Sequence, residues 1–259
     1  MKTANKTSKG SPSRYAGSIP AGAEDITRIK ESASKNELVV VIGTGVSIAL
    51  TNGKIPTLSW KGLIQNGFEY ALKKALITPS QLSIWIPHLD SPDIADLLGA
   101  AEFITHKLSS PNDDLYARWL EINFKHVRAT NEDMKQALRT LQNAGVPLCT
   151  LNYDRLLEEV TGLNTVNISD TPRVTEWMRR ESAGILHLHG SWDVPASCIL
   201  GLRDYETTRS NDLRDLIQRS LGSFKRLLFV GCGDTFADPN FSCLISWLRA
   251  KMKSASPQH

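Results

Sequence analysis

The sequence predicts an α/β protein with a Rossmann-like, doubly wound and mostly parallel sheet, into which a helical lobe is inserted. Three observations carry this prediction. Short apolar runs rich in β-branched residues recur along the chain, each run ends at a polar or glycine-containing turn, and stretches of helical periodicity separate the runs. Such runs are typical of strands buried on both faces, and strands that alternate with helices favour a parallel sheet.

The elements follow in order from these patterns. A short amphipathic segment at 24–34 predicts a helix, and the Leu, Val and Ile run within 37–42 predicts the first strand. Helical periodicity then fills 60–76, 80–86, 92–107, 115–124 and 131–143. Because this stretch is longer than one crossover needs, we assign residues 58–141 to a helical lobe. Strands are predicted again at 146–151, 185–188 and 227–230, with helices at 210–221 and 240–253.

The domain organisation is simple. Residues 1–22 are rich in Ser, Lys, Gly and Pro and predict a disordered tail. Residues 23–253 form one domain that includes the helical lobe, and 254–259 form a second tail. A chain of 259 residues, 41% of them hydrophobic, is large enough for one substantial core.

Composition excludes several partners. The net charge is +3, and Lys and Arg are scattered among Asp and Glu, so no basic stripe indicates nucleic acid. No apolar run is long enough for a membrane span, and the amino-terminal stretch lacks an apolar export segment. The four cysteines form no C-x-x-C pair, which speaks against a zinc module or a disulfide framework. We therefore expect a cytoplasmic protein without a metal.

Ligands of open α/β sheets bind outside the carboxyl ends of the strands. The first strand ends in Gly43, Thr44, Gly45, Val46 and Ser47. Glycines allow backbone N–H groups to approach a pyrophosphate, and Ser47 offers a hydroxyl or a helix cap. The segment lacks the third glycine of the dinucleotide fingerprint, so a plain structural turn remains an alternative.

The next strand ends in Thr150, Leu151, Asn152, Tyr153 and Asp154. An amide here can bind a ribose hydroxyl or orient a water, and the carboxylate can hold the nucleotide or the loop of the amide. Asn and Asp are also common turn residues, so a purely structural role is open as well.

The two remaining strand ends offer a histidine pair and a second glycine loop. His187 and His189 lie on one face by the alternation of a strand, and Gly190 follows. Metal ligands at a recognisable spacing are missing, so a general base at His189 and a core position for His187 are favoured. The last strand is followed by Gly231, Cys232 and Gly233, where Cys232 is either a nucleophile or a small packing residue.

Together, these strand ends resemble the sirtuin-like NAD-binding domain, in particular its zinc-free branch in bacterial anti-phage effectors. The first loop is similar to the family's phosphate loop, and Pro56 lies where the next loop carries a proline. Asn152 with Asp154 resembles the Asn-x-Asp signature, and His189-Gly190 resembles the His-Gly pair. The loop 231–233 corresponds to the family's Gly-Thr-Ser. Four motifs in order, across residues 38–247, carry the resemblance.

The resemblance implies an NAD hydrolase that releases nicotinamide and ADP-ribose, with NAD as substrate and no metal. It implies that Asn152 positions the ribose and the attacking water, that His189 is the general base, and that Asp154 supports the nicotinamide end. The implied NAD-binding residues are Gly43, Thr44, Gly45, Ser47, Pro56, Trp60, Gly231, Cys232 and Gly233. It further implies a regulated, toxic effector that assembles into a homo-oligomer or filament.

Three departures from the family keep alternatives open. The zinc module of the deacylases is missing, which lowers an NAD-dependent protein deacylase to a second alternative. After Pro56 the family's Asp-Phe-Arg is replaced, and Trp60 is a candidate for closing the nicotinamide pocket. The chain also ends early, so a sensor region or a sheet edge would come from a longer protein or a neighbouring subunit. A sensor or scaffold that binds NAD or ADP-ribose without turnover is the first alternative.

Overall fold

The computed structural model describes residues 22–109, 114–201, 203–204 and 226–232. Its sheet contains five strands, and every neighbouring pair is parallel. The strands are β1 (Leu38–Ile42), β2 (Leu148–Thr150), β3 (Thr165–Asn167), β4 (Ile185–His187) and β5 (Arg226–Val230), in the spatial order β3-β4-β2-β1-β5. The predicted α/β class with a parallel sheet is confirmed.

Strand β1 lies at the point in the sheet where the order of the strands reverses. The chain builds β2, β3 and β4 on one side of β1 and returns to the other side for β5. All five β1 residues are buried, and β1 is in register with both neighbours, so that Val40 lies beside Leu148 and Leu228. Such a reversal is the topological switch point at which open α/β sheets bind ligands.

Nine helices belong to the described residues. Helix α1 (Ala23–Ser34) precedes β1, and α2 (Thr44–Leu50) follows it directly. Ser59 caps the start of one lobe helix and Asn131 that of another, through side-chain oxygens that accept from backbone amides. The lobe between β1 and β2 contains α3 (Trp60–Lys73), α4 (Pro79–Trp85), α5 (Ile94–Leu108), α6 (Leu115–Phe124) and α7 (Glu132–Asn143), with short 3-10 helices at Pro56–Leu58 and Ile86–Asp90.

Each face of the sheet has its own hydrophobic cluster. Leu38, Val40 and Ile42 point to the face that also packs the helical lobe, where Phe68 and Trp119 are fully buried. Val39 and Val41 alternate to the opposite face, which is covered by Val174 and Trp177 of α9 (Thr171–Arg179). Helices thus lie on both faces, as the doubly wound class requires, and the lobe packs on the sheet.

The structure adds elements that the sequence patterns did not predict. These are α8 (Leu156–Thr161), β3, α9 and a 3-10 helix at Pro195–Ser197. The three residues of β3 and the six of α8 are too few to show a period, whereas the nine-residue α9 was missed for another reason than its length. Helix α5 also begins at Ile94, two residues later than predicted, because Asp93 is its cap. The predicted helices at 210–221 and 240–253 and the tail at 254–259 lie outside the described residues, as do residues 1–21 of the predicted tail.

None of the helices in the described ranges combines the length and apolar character needed to cross a bilayer.

Gly231 provides a test of the contact between the loops after β1 and β5. Its φ is +70°, and a Cβ there would lie 2.6 Å from the backbone nitrogen of Val46. Gly53 has a φ of +71° with no atom within 4 Å of its Cβ position, so Gly53→Ala is a matched control. We expect Gly231→Ala to lower the free energy of unfolding by about 2–5 kcal/mol and Gly53→Ala by about 1–2 kcal/mol, measured by urea denaturation. Equal losses would contradict the close approach of the two loops.

Candidate functional site

The carboxyl ends of β1, β2, β4 and β5 meet at one edge of the sheet, beside the switch point. The loop after β1 leads into α2, and the loop after β2 carries Asn152 and Asp154. The turn after β4 carries His189. The three predicted residues thus come from two loops that are distant in sequence, and the parallel pairing of β2 with β4 brings these loops to the same edge.

A serine hydroxyl joins the first two loops. Ser47 Oγ donates to Asp154 Oδ2 at 2.7 Å and accepts from Asn152 Nδ2 at 2.8 Å. All three side chains are buried, and Ser47 lies in the first turns of α2, which places its hydroxyl over the end of β2. Ser47 therefore connects Asn152 and Asp154, and it is neither the helix cap nor a free hydroxyl at the surface.

The hydrogen bonds fix which way the Asn152 amide faces. Asp154 accepts from the Ser47 hydroxyl and from the Leu156 backbone N–H, which lies 3.0 Å from Oδ1. Because the hydroxyl hydrogen of Ser47 is used in the hydrogen bond to Asp154, the Ser47 oxygen can only accept a further hydrogen bond. The amide nitrogen of Asn152 must therefore face it. The Asn152 oxygen Oδ1 then points away, and it is buried with no hydrogen-bond partner among the described residues. A buried acceptor without a partner is costly and indicates a place for a donor from a ligand or water.

Asp154 is a buried carboxylate that accepts two hydrogen bonds. Burial raises its pKa, and the hydrogen bonds from Ser47 and the Leu156 amide only partly offset that effect. Of the two roles that the sequence left open for Asp154, the contacts support the one of holding the loop of the amide.

A glycine with a positive φ shapes the turn that carries His189. Gly190 has a φ of +81°, and a Cβ there would lie 2.3 Å from the carbonyl oxygen of Ser197. The Ser191 amide donates to Ser197 Oγ, and the Ile199 amide donates to the carbonyl of His189. The side chain of His189 is 3% exposed. The turn is therefore anchored on both sides of Gly190, and only glycine fits there.

His187 is the core histidine that the sequence predicted, and it is fully hydrogen-bonded. Its Nδ1 lies 3.1 Å from the carbonyl oxygen of Asn152 and 3.2 Å from that of Gly190. Its Nε2 lies 2.7 Å from Glu158 Oε1. Burial by itself lowers the pKa of His187, but the hydrogen bond and the charge of Glu158 outweigh burial, so the pKa is raised.

Glu158 is the residue that sequence analysis missed. It lies in α8, its side chain is buried, and Thr165 Oγ1 of β3 donates to its Oε1 at 2.7 Å. Its neighbour Glu159 has the same side chain, and its partner histidine is 29 residues away, so no spacing marks it. A buried carboxylate needs a partner, but a sequence does not reveal which of two adjacent carboxylates is buried.

The glycines of the first loop serve packing rather than an open cradle. The amides of Gly43 and Gly45 donate to the carbonyls of Val230 and Gly231 at 2.9 and 2.8 Å. A Cβ at Gly43 would lie 2.7 Å from Cys232 Sγ, and one at Gly45 would lie 2.7 Å from the Gly231 oxygen. This differs from the expectation that these two amides face a pyrophosphate, because the last residue of β5 and the residue after it already accept from them.

The other predicted ligand-binding residues range from exposed to buried. Pro56 is exposed at the start of its 3-10 helix, and Trp60 is buried at the start of α3. The indole Nε1 of Trp60 is buried with no hydrogen-bond partner among the described residues. Thr44 is half-buried at the first position of α2, while Cys232 is buried beside Val41 and fills the core, which supports the packing role over the nucleophile. Gly233 lies outside the described residues.

Within the described ranges, no group of three or more His, Cys, Asp and Glu side chains is arranged to hold a metal ion.

A family model described as the SIR2-like domain matches residues 147–259. The match begins just before β2 and includes Asn152, Asp154, His189 and the loop after β5, while α2 and the helical lobe precede it. The predicted sirtuin-like domain is confirmed over this part of the chain. SIR2-like domains bind NAD, so the match supports an NAD-related function.

Removal of the Ser47 hydroxyl tests the connection between the two loops. Ser47→Ala removes the hydrogen-bond partner of the Asn152 amide nitrogen and one of the two donors to the buried Asp154 carboxylate, so we expect the free energy of unfolding to fall by about 1–3 kcal/mol. Ser83→Ala is the control, since Ser83 is an exposed helical serine that bonds only within its helix. Urea denaturation of both variants measures the difference, and an equally small effect in both would contradict the bridge.

The raised pKa of Asp154 predicts a specific pH dependence. Between the unfolded value of 3.8 and the higher folded value, the folded protein binds more protons, so this contribution to stability is lost as pH rises through the folded pKa. Asp154→Asn removes the titration, and its stability relative to the wild type should rise over that interval and then become constant. Asp133→Asn, at an exposed position, corrects for the change in net charge. Denaturant curves at several pH values test this, and a relative stability that falls instead would refute it.

Proposed function

We propose that this chain, whose residues 147–259 match the SIR2-like domain, hydrolyses NAD⁺ at the nicotinamide-ribose bond. The observation that carries the proposal is the Asn152 amide. Its nitrogen is held by Ser47, and its buried oxygen has no partner in the described part of the chain. A ribose hydroxyl or an attacking water supplies the donor that this oxygen lacks. The site is at the switch point of the sheet, where a dinucleotide is expected.

The chemistry requires little from the protein on the leaving side. The bond between the ribose carbon and nicotinamide breaks with its electron pair moving to the ring nitrogen, which neutralises the positive charge of nicotinamide. The ribose carbon becomes oxocarbenium-like, and a water oxygen bonds to it. In this proposal Asn152 orients the ribose and the water, and His189 accepts the proton that the water loses. The products are nicotinamide and ADP-ribose.

The remaining predicted residues complete the proposed site. Trp60 closes the nicotinamide pocket together with the loop at Pro56, and its indole N–H is a donor for a carboxamide oxygen. Because the Gly43 and Gly45 amides donate to the carbonyls of Val230 and Gly231, the diphosphate in this proposal binds at the half-exposed Thr44 and at residues 231–233. In this proposal Asp154 and Ser47 act through Asn152, because Ser47 Oγ accepts from the Asn152 amide and donates to Asp154.

The biological setting is also part of the proposal. A regulated effector in anti-phage defence that depletes NAD in the cytoplasm and is active as a homo-oligomer or filament fits the family resemblance. Only the resemblance supports this setting, and the catalytic proposal does not depend on it.

Turnover measurements test the proposed hydrolase. We expect wild-type protein to release nicotinamide and ADP-ribose, and His189→Ala to lower kcat by about 10²–10⁴-fold, which is the usual contribution of a general base. Asn152→Ala should lower kcat by a similar factor. His126→Ala and Asn143→Ala, at exposed positions, are matched controls and should retain wild-type rates.

The protein concentration is varied in this assay, so that activity which depends on assembly is detected. NAD binding without turnover at any concentration would favour the sensor alternative. Turnover that survives both site substitutions would place the chemistry elsewhere.

A further inference from the structure

The ring of His187 lies between the two loops that carry the proposed catalytic side chains. Its Nδ1 is within hydrogen-bond distance of two backbone carbonyls, those of Asn152 and Gly190. Carbonyl oxygens only accept, so Nδ1 must carry a hydrogen and donate to both. One acceptor belongs to Asn152 itself, and the other belongs to the residue that follows His189.

The opposite side of the ring is fixed just as firmly. Glu158 Oε1 lies 2.7 Å from Nε2, and Thr165 Oγ1 donates to the same oxygen. His187 is 0% exposed, and Leu156 and Leu157 at the start of α8 are buried as well. A ring held at Nε2 by a side chain from α8 cannot rotate, so the direction of its Nδ1–H is set by the fold.

We propose that His187 is a positioning residue, whose Nδ1–H holds the backbone of Asn152 and the turn around His189 at a fixed separation. This inference rests on the proposed function. His187 does not touch the substrate in this account, and its effect passes through two carbonyls. Asn152 and His189 must reach the same ribose carbon and water, and an error of about 1 Å in such an arrangement costs about 10²-fold in rate.

A histidine that only fills the core would need one hydrogen-bond partner for each ring nitrogen. Glu158 satisfies Nε2, and one carbonyl would suffice for Nδ1. The two carbonyls that share Nδ1 come from the loops that follow two adjacent strands, β2 and β4. Among the described backbone bonds between these segments, Leu188 N donates to the Thr150 oxygen at the strand ends, and Trp192 N donates to the Tyr153 oxygen farther along the two loops. The imidazole thus adds a link at Asn152 and Gly190, between these two backbone hydrogen bonds.

Replacement of His187 by Asn or by Gln distinguishes the roles of its two ring nitrogens. In His187→Asn the amide nitrogen can occupy the place of Nδ1 and donate to the loop carbonyls, whereas in His187→Gln the amide reaches toward Glu158 instead. We expect His187→Gln to lower kcat for NAD hydrolysis by about 10²-fold with KM changed only a few-fold, and His187→Asn to keep most of the activity. Glu158→Gln retains a hydrogen-bonding partner for Nε2 and should also keep most of the activity.

The kinetic outcomes decide between a positioning and a packing role. Equal losses of kcat in the Asn and Gln variants, matched by equal losses in unfolding free energy, would show that His187 only fills the core. Full activity in His187→Gln would overturn the proposal directly.

A second readout does not depend on activity or on the folding of variants. Nitrogen NMR of the histidine-labelled wild-type protein reports whether Nδ1 of His187 carries a hydrogen, which the proposal requires at neutral pH. An unprotonated Nδ1 would overturn the proposal. If the wild type fails to hydrolyse NAD, the proposed function fails, while the NMR result still decides whether His187 links the two loops.

Discussion

The buried strand β1 is the constraint on which the rest of the structure depends. It pairs in parallel with β2 on one side and β5 on the other, and all of its residues are buried. That pairing produces the switch point, brings the loops after the strands to one edge, and packs Gly43 and Gly45 against the loop after β5. It also holds α2 where Ser47 can reach the end of β2.

A chain of hydrogen bonds built on this sheet fixes the orientation of the Asn152 amide. A carboxylate can only accept, so Asp154 accepts a hydrogen bond from the Ser47 hydroxyl, and Ser47 Oγ accepts one from Asn152 Nδ2. The Asn152 oxygen is left facing away without a protein partner in the described residues. Burial makes each bond costly to break, so the Asn152 amide is preorganised in the way that the proposed hydrolysis requires. Burial raises the pKa of Asp154, and the hydrogen bonds from Ser47 and the Leu156 amide offset only part of that effect.

Much of the fold was predictable from the sequence because its long elements have clear periods. The β-branched run of β1 and the lobe helices with Ser59 or Asn131 at their starts are examples. The short elements α8 and β3 were not predictable from the sequence. Glu158 in α8 was therefore missed as well, because its burial depends on contacts that are distant in sequence. For Gly43 and Gly45 the residue type was right for a loop at this edge. Glycine is required at these two positions because the loops after β1 and β5 are closely packed, and the sequence of one loop alone does not show that packing.

The most direct test of the account is the fate of the oxygen in hydrolysis. Wild-type protein is incubated with NAD in water enriched in heavy oxygen, and the products are separated and weighed by mass spectrometry. The account predicts free nicotinamide and an ADP-ribose that has gained one heavy oxygen at the ribose carbon, because water is the acceptor. Intact NAD, or a product formed without solvent oxygen, would contradict hydrolysis at this site.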